Sequence, residues 1–247
     1  MVRLAVLADI HGNGQALRAV LADLDGLGGA DHVLVLGDVA LLGPQPAEVV
    51  RLLLERGAIG VCGNHERFLF RFNWREAEPG NAEEVADRDL CLWTLGQLSP
   101  EEEQWLRDLP LQRQIAVAGQ TLSLVHGSPR HVADTILPET TEETVRQMMG
   151  GLQTDVLLLG HSHQVLDRWV GGVRLINPGA VGFPQGEPGT ARYAILQWDG
   201  EWRADFRTVP YDIEETISCL LTIQRPYRLW VVETLREAKH VPISTFD

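Results

Sequence analysis

The 247-residue sequence is poor in the residues that several common classes of protein require. Its three cysteines, Cys62, Cys91 and Cys219, are too few and too widely spaced for a disulfide framework or a CxxC zinc site. We therefore expect reduced thiols and a cytoplasmic location. The sequence also has no P-loop motif, which excludes nucleotide hydrolysis of the P-loop kind.

Positive charge and long apolar segments are scarce as well. Twenty-one basic residues, of which only Lys239 is a lysine, stand against 34 acidic ones, and the net charge is −13. Such a surface does not track a phosphate backbone, so nucleic acid is not expected as a general partner. The apolar runs are too short to span a membrane, and residues 1–9 lack the charged region and cleavage site of a signal peptide. We expect no membrane association.

The first 61 residues have the hydrophobic pattern of an α/β fold. Residues 2–8 and 32–36 have the character of buried strands, and residues 14–24 between them carry a helical apolar stripe. This βαβ unit predicts parallel strands with helices on the sheet. A second helix is predicted over 46–56 and a third strand over 58–61.

The residue pattern changes at about residue 66, where charged and aromatic residues are mixed at helical spacing. One helix is predicted over 81–98, and the capping box at 99–102 marks the start of another. We interpret residues 66–110 as a helical lid inserted into a single domain that spans 1–247.

The second half of the chain has mainly β character. A helix is predicted over 140–149, and terminal helix over 214–239, around Pro226. Two packed sheets with helices outside them suit this pattern. The predicted strands are 114–118, 121–125, 155–159, 165–170, 173–176, 192–198 and 201–207.

Five short apolar runs end in side chains that can bind a metal. Ligands of open α/β sheets lie beyond the carboxyl ends of strands, so these side chains are expected to meet. Oxygen and imidazole donors without thiolate suit Mn²⁺, Fe, Ni²⁺, Co²⁺ or Zn²⁺. The side chains are Asp9 and His11 after 2–8, Asp38 after 33–36, Asn64 and His65 after 59–61, His126 after 122–125, and His161 and His163 after 156–159.

The motifs DIH (9–11), GD (37–38), GNHE (63–66), HG (126–127) and GHSH (160–163) occur in this order. Together they resemble the signature of the calcineurin-like metallophosphoesterases, over residues 9 to about 198. The loop at 177–182 resembles one in the small bacterial members, the phosphodiesterase and phosphatase branch. The resemblance implies a four-layer α/β/β/α sandwich of two mixed sheets.

The resemblance also implies roles for the side chains. Asp38 would bridge two divalent ions about 3.5–4 Å apart, with manganese favoured, and a hydroxide between the ions would attack phosphorus in line. His65 would donate a proton to the leaving oxygen. The other ligands would be Asp9, His11 and His163 for one ion and Asn64, His126 and His161 for the other.

The predicted activity is hydrolysis of small phosphomonoesters or phosphodiesters, nucleotides included. A non-catalytic metal-binding scaffold and a phosphoprotein phosphatase are the alternatives. Residues 37–44 lack the arginine with which many relatives hold phosphate, and Leu42 stands where an aromatic residue is usual in the small bacterial branch. This departure weakens the case for a phosphoprotein phosphatase.

Two further residues are candidates for substrate contact. Arg130 follows His126 closely, although an exposed salt bridge is an equal alternative. Asn13 lies just beyond His11, where helix capping is the competing role. His32, His131 and His240 are expected on the surface.

Overall fold

The computed structural model describes residues 1–239, which contain ten strands and eight helices. The strands are β1 (Val2–Leu7), β2 (His32–Val35), β3 (Ile59–Gly60), β4 (Gln112–Val117), β5 (Gln120–Val125), β6 (Val156–Leu158), β7 (Val165–Val170), β8 (Val173–Pro178), β9 (Thr190–Trp198) and β10 (Trp202–Pro210). The helices are α1 (Gly14–Gly26), α2 (Pro46–Glu55), α3 (Asn64–Leu69), α4 (Ala82–Gln97), α5 (Pro100–Arg107), α6 (Glu142–Met149), α7 (Ile213–Thr222) and α8 (Arg228–Glu237).

The strands form two five-stranded mixed sheets. The first has the order β10-β9-β1-β2-β3, in which β1 pairs parallel with β2 and antiparallel with β9. The second has the order β4-β5-β6-β8-β7, with β5, β6 and β8 parallel. Both sheets therefore present the carboxyl ends of parallel strands at one edge.

The sheets pack face to face because their strands alternate apolar residues between two cores. In β1, Leu4 and Val6 join the core between the sheets, whereas Ala5 and Leu7 pack on the side of α1 and α2. Val145 of α6 packs over the outer face of the second sheet. The predicted α/β/β/α sandwich is confirmed.

Three helices lie between β3 and β4, including the two that the sequence predicted, but they do not form one layer. Leu106 of α5 joins the core beneath α2, whereas Leu90 of α4 packs with Leu220 of α7 and Trp230 of α8. The predicted capping box starts α5, where Ser99 and Glu102 bond each other's backbone N–H groups. The extent of the domain and of the lid stays a prediction.

Within residues 1–239, the remaining histidines and the cysteines are placed as the sequence predicted. His32 and His131 are exposed, while His240 lies outside the described residues. Cys62 and Cys91 are buried free thiols, and Cys219 is also free. Within residues 1–239, no helix combines the length and apolar character needed to cross a membrane.

Candidate metal centre

The predicted ligands occupy strained loops that leave the strands at the shared edge of the sheets. Five of them have φ between 50° and 66°, the left-handed region that residues with a Cβ seldom adopt. Such strain persists only where the surrounding structure holds it, and it concentrates at functional sites. The five are Asp9, His11, Asp38, His161 and His163.

One set of donors gathers around Asp9. His163 Nε2 lies 3.5 Å from Asp9 Oδ1 and 3.3 Å from His11 Nε2. One donor atom from each of these three residues lies within 4.8 Å of the others. The set can hold one metal ion.

A second set gathers on the other side of Asp38. His126 Nε2 lies 3.3 Å from Asp38 Oδ2 and 3.0 Å from Asn64 Oδ1, and donor atoms of Asp38, His126 and His161 fall within 4.8 Å of one another. Asp38 Oδ2 is also 3.7 Å from His11 Nε2 in the first set. Asp38 therefore faces both sets, and we call the seven side chains the ligand cluster.

Backbone carbonyls fix the tautomers of two imidazoles. His126 Nδ1 donates to the carbonyl of Leu36 at 2.6 Å, and His163 Nδ1 donates to the carbonyl of Phe183 at 2.9 Å. A proton on Nδ1 leaves the Nε2 lone pair of each neutral ring directed into the cluster. Both rings are therefore oriented as metal ligands.

Burial and crowding perturb the acidity of these groups. Burial raises the pKa of Asp9 to about 7, and it lowers those of His161 and His163 to about 4. Burial would also raise the pKa of Asp38, but the imidazoles, His126 first, hold it well below its usual value. Burial acts to lower the pKa of His126, yet Asp38 and Asp9 together raise it to about 10. His161 and His163 are thus neutral at neutral pH.

The donor set fits divalent cations. Two Nε2 atoms that face each other at 3.3 Å, in His11 and His163, are well satisfied by a cation that both can bind. Imidazole, carboxylate and carboxamide donors without sulfur are typical of sites for borderline first-row metals. This observation excludes thiolate zinc chemistry at the centre but does not select one metal.

Glu66 supports the cluster from behind, a role that the sequence interpretation did not assign. Its buried carboxylate accepts the backbone N–H groups of Asp38 at 2.8 Å, Val39 at 2.7 Å and Gly63 at 2.8 Å. These bonds tie the loop after β2 to the start of α3. A glutamate three residues after Gly63 has capping-box spacing, and that signal could have identified it.

The loops that carry Asp38 and Gly63 approach each other so closely that no residue with a side chain fits at position 63. A Cβ at Gly63 would overlap Asp38 Oδ1. The same oxygen accepts the backbone N–H of His65 at 2.9 Å. Asp38 is therefore positioned both by the loop that carries it and by the next loop in the sheet.

His65 lies at the border between the ligand cluster and the open cleft. Its Nε2 is 3.7 Å from Asp38 Oδ2, its ring meets that of His11 edge to face at 4.8 Å, and its side chain is 25% exposed. Its Nδ1 has no hydrogen-bond partner among residues 1–239. It lines the cleft together with His11, His161 and His163, but it belongs to neither of the two donor sets.

The structure does not bring Asn13 and Arg130 into the cleft. Asn13 is buried, caps α1 by accepting the N–H of Ala16 at 3.2 Å, and donates to Gly182 and Tyr211 at 3.1 Å each. Arg130 forms an ion pair with Asp134 at 2.8 Å. The capping and salt-bridge alternatives describe what these two side chains do here.

A cleft of about 770 Å³ opens above the ligand cluster. Its sides include Leu42 after β2, Phe183, and the side chains of two helices. Tyr227 OH donates to Asp87 Oδ1 at 2.9 Å and so joins α8 to α4. We call these helical residues the helical wall: Glu83, Asp87 and Leu90 on one side, and Tyr227, Trp230 and Thr234 on the other.

The model of the calcineurin-like phosphoesterase superfamily domain matches residues 2–201. The chain belongs to this family, whose enzymes use divalent metal ions. It is therefore a hydrolase of the metal-dependent phosphoesterase class, as the strand-end motifs indicated.

Several proteins with different names are similar to this chain in sequence. An uncharacterized protein of Methanocaldococcus jannaschii is 26% identical over 94% of this chain and 96% of its own length. Phosphodiesterase YfcE of Escherichia coli is 29% identical over 81% of this chain and 89% of its own length. A symmetrical bis(5'-nucleosyl)-tetraphosphatase of Paracidovorax citrulli is 31% identical over 66% of this chain, which covers only 57% of that enzyme.

Solved structures show the same fold. A metallophosphoesterase from Sphaerobacter thermophilus is 30% identical, covers 96% of this chain and 99% of its own, and superposes with a TM-score of 0.75. A hypothetical protein from Pyrococcus horikoshii is 24% identical over 95% of this chain and 98% of its own, with a TM-score of 0.81. The second likeness supports the fold alone.

Proposed function

We propose that this chain hydrolyses small phosphomonoesters or phosphodiesters, nucleotides among them, at a dinuclear metal centre. The observation that carries the proposal is the position of Asp38, whose Oδ2 faces His11 of one donor set and His126 of the other. A carboxylate shared in this way is the arrangement that a two-metal phosphoesterase requires.

Each donor set would hold one ion, and manganese is our choice of metal. Bound ions of this kind supply positive charge to the phosphoryl oxygens and lower the pKa of water, so that a nucleophile for in-line attack exists at neutral pH. The sets are Asp9, His11 and His163 for one ion and Asn64, His126 and His161 for the other, with Asp38 between them.

His65 is proposed as the proton donor. Its backbone N–H is bonded to Asp38 at 2.9 Å, which fixes the start of α3 relative to the ligand cluster. Its ring projects to the border of the cleft, where it can protonate a leaving oxygen and stabilise charge on the phosphoryl group. No other histidine among the described residues combines a place at the cluster with freedom from the two donor sets.

The alternatives predict different behaviour. A non-catalytic scaffold would bind metal without turnover. This chain has a suitable residue at every ligand position and a histidine at position 65, which favours an enzyme. A phosphoprotein phosphatase would prefer phosphopeptides, and the loop after Asp38 lacks the arginine of that branch. The cytoplasmic location and the absence of nucleic-acid and membrane partners stay predictions.

A metal-reconstitution screen tests the proposal. The purified chain is stripped with a chelator, reloaded separately with Mn²⁺, Fe²⁺, Co²⁺, Ni²⁺ or Zn²⁺, and assayed on phosphomonoesters, phosphodiesters, nucleotides and phosphopeptides. We expect turnover of a small ester, highest with Mn²⁺. Full metal loading with no turnover would support the scaffold, and turnover of phosphopeptides alone would support the phosphoprotein phosphatase.

A further inference from the structure

The charged side chains of the helical wall are acidic. Glu83 is exposed at the start of α4, and Asp87 lies one turn further along and accepts the Tyr227 hydroxyl. Lys239 also borders the cleft, but its Nζ lies 2.7 Å from Glu237 Oε2. Over residues 1–239, no arginine lines the cleft, and residues 240–247 contain neither lysine nor arginine.

The remainder of the cleft wall is largely apolar. Leu42, Phe68, Leu90 and Trp230 line the same space as the two carboxylates. Such surfaces favour ligands that bury apolar or aromatic groups, with a few polar groups setting the orientation. The cleft therefore offers area to an organic substituent, whereas the one lysine or arginine that borders it within residues 1–239, Lys239, is paired with Glu237.

This arrangement discriminates between esters by charge. The metal ions would neutralise the phosphoryl group undergoing attack, but each further phosphate of a polyphosphate bridge would enter a space with two carboxylates and little counter-charge. Like charges placed together in a partly desolvated cleft reject the wrong ligand. An ester with a single phosphate and an aromatic or apolar substituent avoids that repulsion.

We infer that the helical wall selects single-phosphate esters of apolar or aromatic groups and rejects polyphosphate-bridged substrates, with Glu83 and Asp87 as the residues that determine this specificity. The inference rests on the proposed function and narrows its substrate class. It separates this chain from the tetraphosphatases that it matches over about half of their length.

A neighbouring groove offers a competing binding site for a polyphosphate. Arg192 lines that groove together with Gln185 and Lys239, and Gln185 also borders the main cleft. Glu237 lies in the same groove and pairs with Lys239. If polyphosphates bound there, Arg192→Gln would weaken them selectively.

Charge reversal on α4 provides the test, and the chain offers a matched control. Glu83 and Glu101 are both exposed and both occupy the second position of a helix, in α4 and α5, but only Glu83 borders the cleft. Glu83→Lys, Glu101→Lys and Arg192→Gln are compared with the wild type. The readout is kcat/KM for bis(4-nitrophenyl) phosphate and for diadenosine tetraphosphate, with free Mn²⁺ held constant.

We expect the wild type to prefer the diester, and Glu83→Lys to raise kcat/KM for the tetraphosphate about 3–10-fold relative to the diester. Glu101→Lys and Arg192→Gln should leave that ratio unchanged. Equal use of both substrates by the wild type, equal effects of the two glutamate variants, or a selective loss in Arg192→Gln would overturn the inference alone. A wild type that binds its ions and hydrolyses neither of these substrates nor the monoester 4-nitrophenyl phosphate overturns the proposed function.

Discussion

The ligand cluster and the helical wall face the same cleft, but they are built differently. The cluster comes from loops that leave neighbouring parallel strands, and the hydrogen bonds of Glu66 help to hold these loops in their strained conformation. The wall comes from α4 and α8, which meet through Asp87 and Tyr227, 140 positions apart in sequence. The contrast indicates that the sheets define the chemistry, whereas packing between distant helices defines what enters.

Asp38→Asn should have the largest effect, because Asp38 lies between the two donor sets and is proposed to bridge both ions. We expect metal to be lost from both positions and kcat/KM to fall by about 10⁴-fold or more. Metal content by mass spectrometry and hydrolysis of bis(4-nitrophenyl) phosphate measure the two effects. Asp167→Asn removes a carboxylate paired with Arg174 at the surface and is the matched control.

Two ions retained at full occupancy in Asp38→Asn would contradict the shared role. That result would also remove the expected difference in metal binding between the ligand cluster and the helical wall, since Glu83→Lys is expected to leave the metal content unchanged.

His65→Ala should separate chemistry from metal binding within the cluster region. We expect both ions to remain while kcat falls about 10²–10⁴-fold, the usual range for a general acid. His32→Ala, which removes an exposed histidine at the end of β2 opposite to Asp38, is the control. A variant that turns over like the wild type would leave His65 without the assigned role.

Glu66→Gln tests the support beneath the ligand cluster. The amide presents an NH₂ group to backbone N–H donors, so at least one of three buried bonds is lost. We expect a loss of about 2–3 kcal/mol in the free energy of unfolding, together with weaker metal binding. The measurement is urea denaturation in the presence of a chelator.

Glu102→Gln is the matched control for this prediction, because Glu102 occupies the same position of an exposed capping box in α5. It should cost about 1 kcal/mol or less. Equal losses of unfolding free energy in the two variants would show that the burial of Glu66 behind the ligand cluster adds nothing to stability.

The pH dependence of metal binding follows from the perturbed ligands. In the metal-free protein Asp9, with its raised pKa of about 7, is protonated below pH 7, and His126, with a pKa of about 10, is protonated below pH 10. His161 and His163 have already lost their protons above about pH 4. Metal must displace the bound protons, so its affinity should fall as pH falls.

When Mn²⁺ binds, we expect the ligands to release about one proton at pH 8 and about two at pH 6, in addition to the proton that metal-bound water loses as it becomes hydroxide. Calorimetric titrations in buffers of different ionisation enthalpy count the released protons. Asp9→Asn should remove the additional proton at pH 6. A proton count near zero at both values would show that the ligands do not titrate in this way.

The sequence interpretation succeeded where structure depends on neighbouring residues. The apolar runs of β1 and β2 and the helical stripe of α1 predicted parallel strands, and that topology accounts for the meeting of Asp9 and Asp38. The same strand-end pattern selected the other members of the ligand cluster, and the family resemblance then assigned their roles. A residue immediately after a buried strand has little freedom of position, which is why such a prediction is possible.

The helical wall could not be predicted in the same way. The apolar stripe of α8 indicates a buried face but not its partner, and nothing local connects Tyr227 to Asp87. The strand predicted over 58–61 is only Ile59–Gly60, although the Val61 N–H still donates to the Val35 carbonyl at 3.0 Å. Contacts between distant elements decide these features, and a single sequence does not record them.

The most direct test is X-ray diffraction from Mn²⁺-loaded crystals at the manganese absorption edge. Two anomalous peaks about 3.5–4 Å apart are expected. Asp38 should lie within bonding distance of both peaks, Asp9 and His163 beside one, and His126 and His161 beside the other. A single peak, or two peaks that do not share Asp38, would contradict the dinuclear centre.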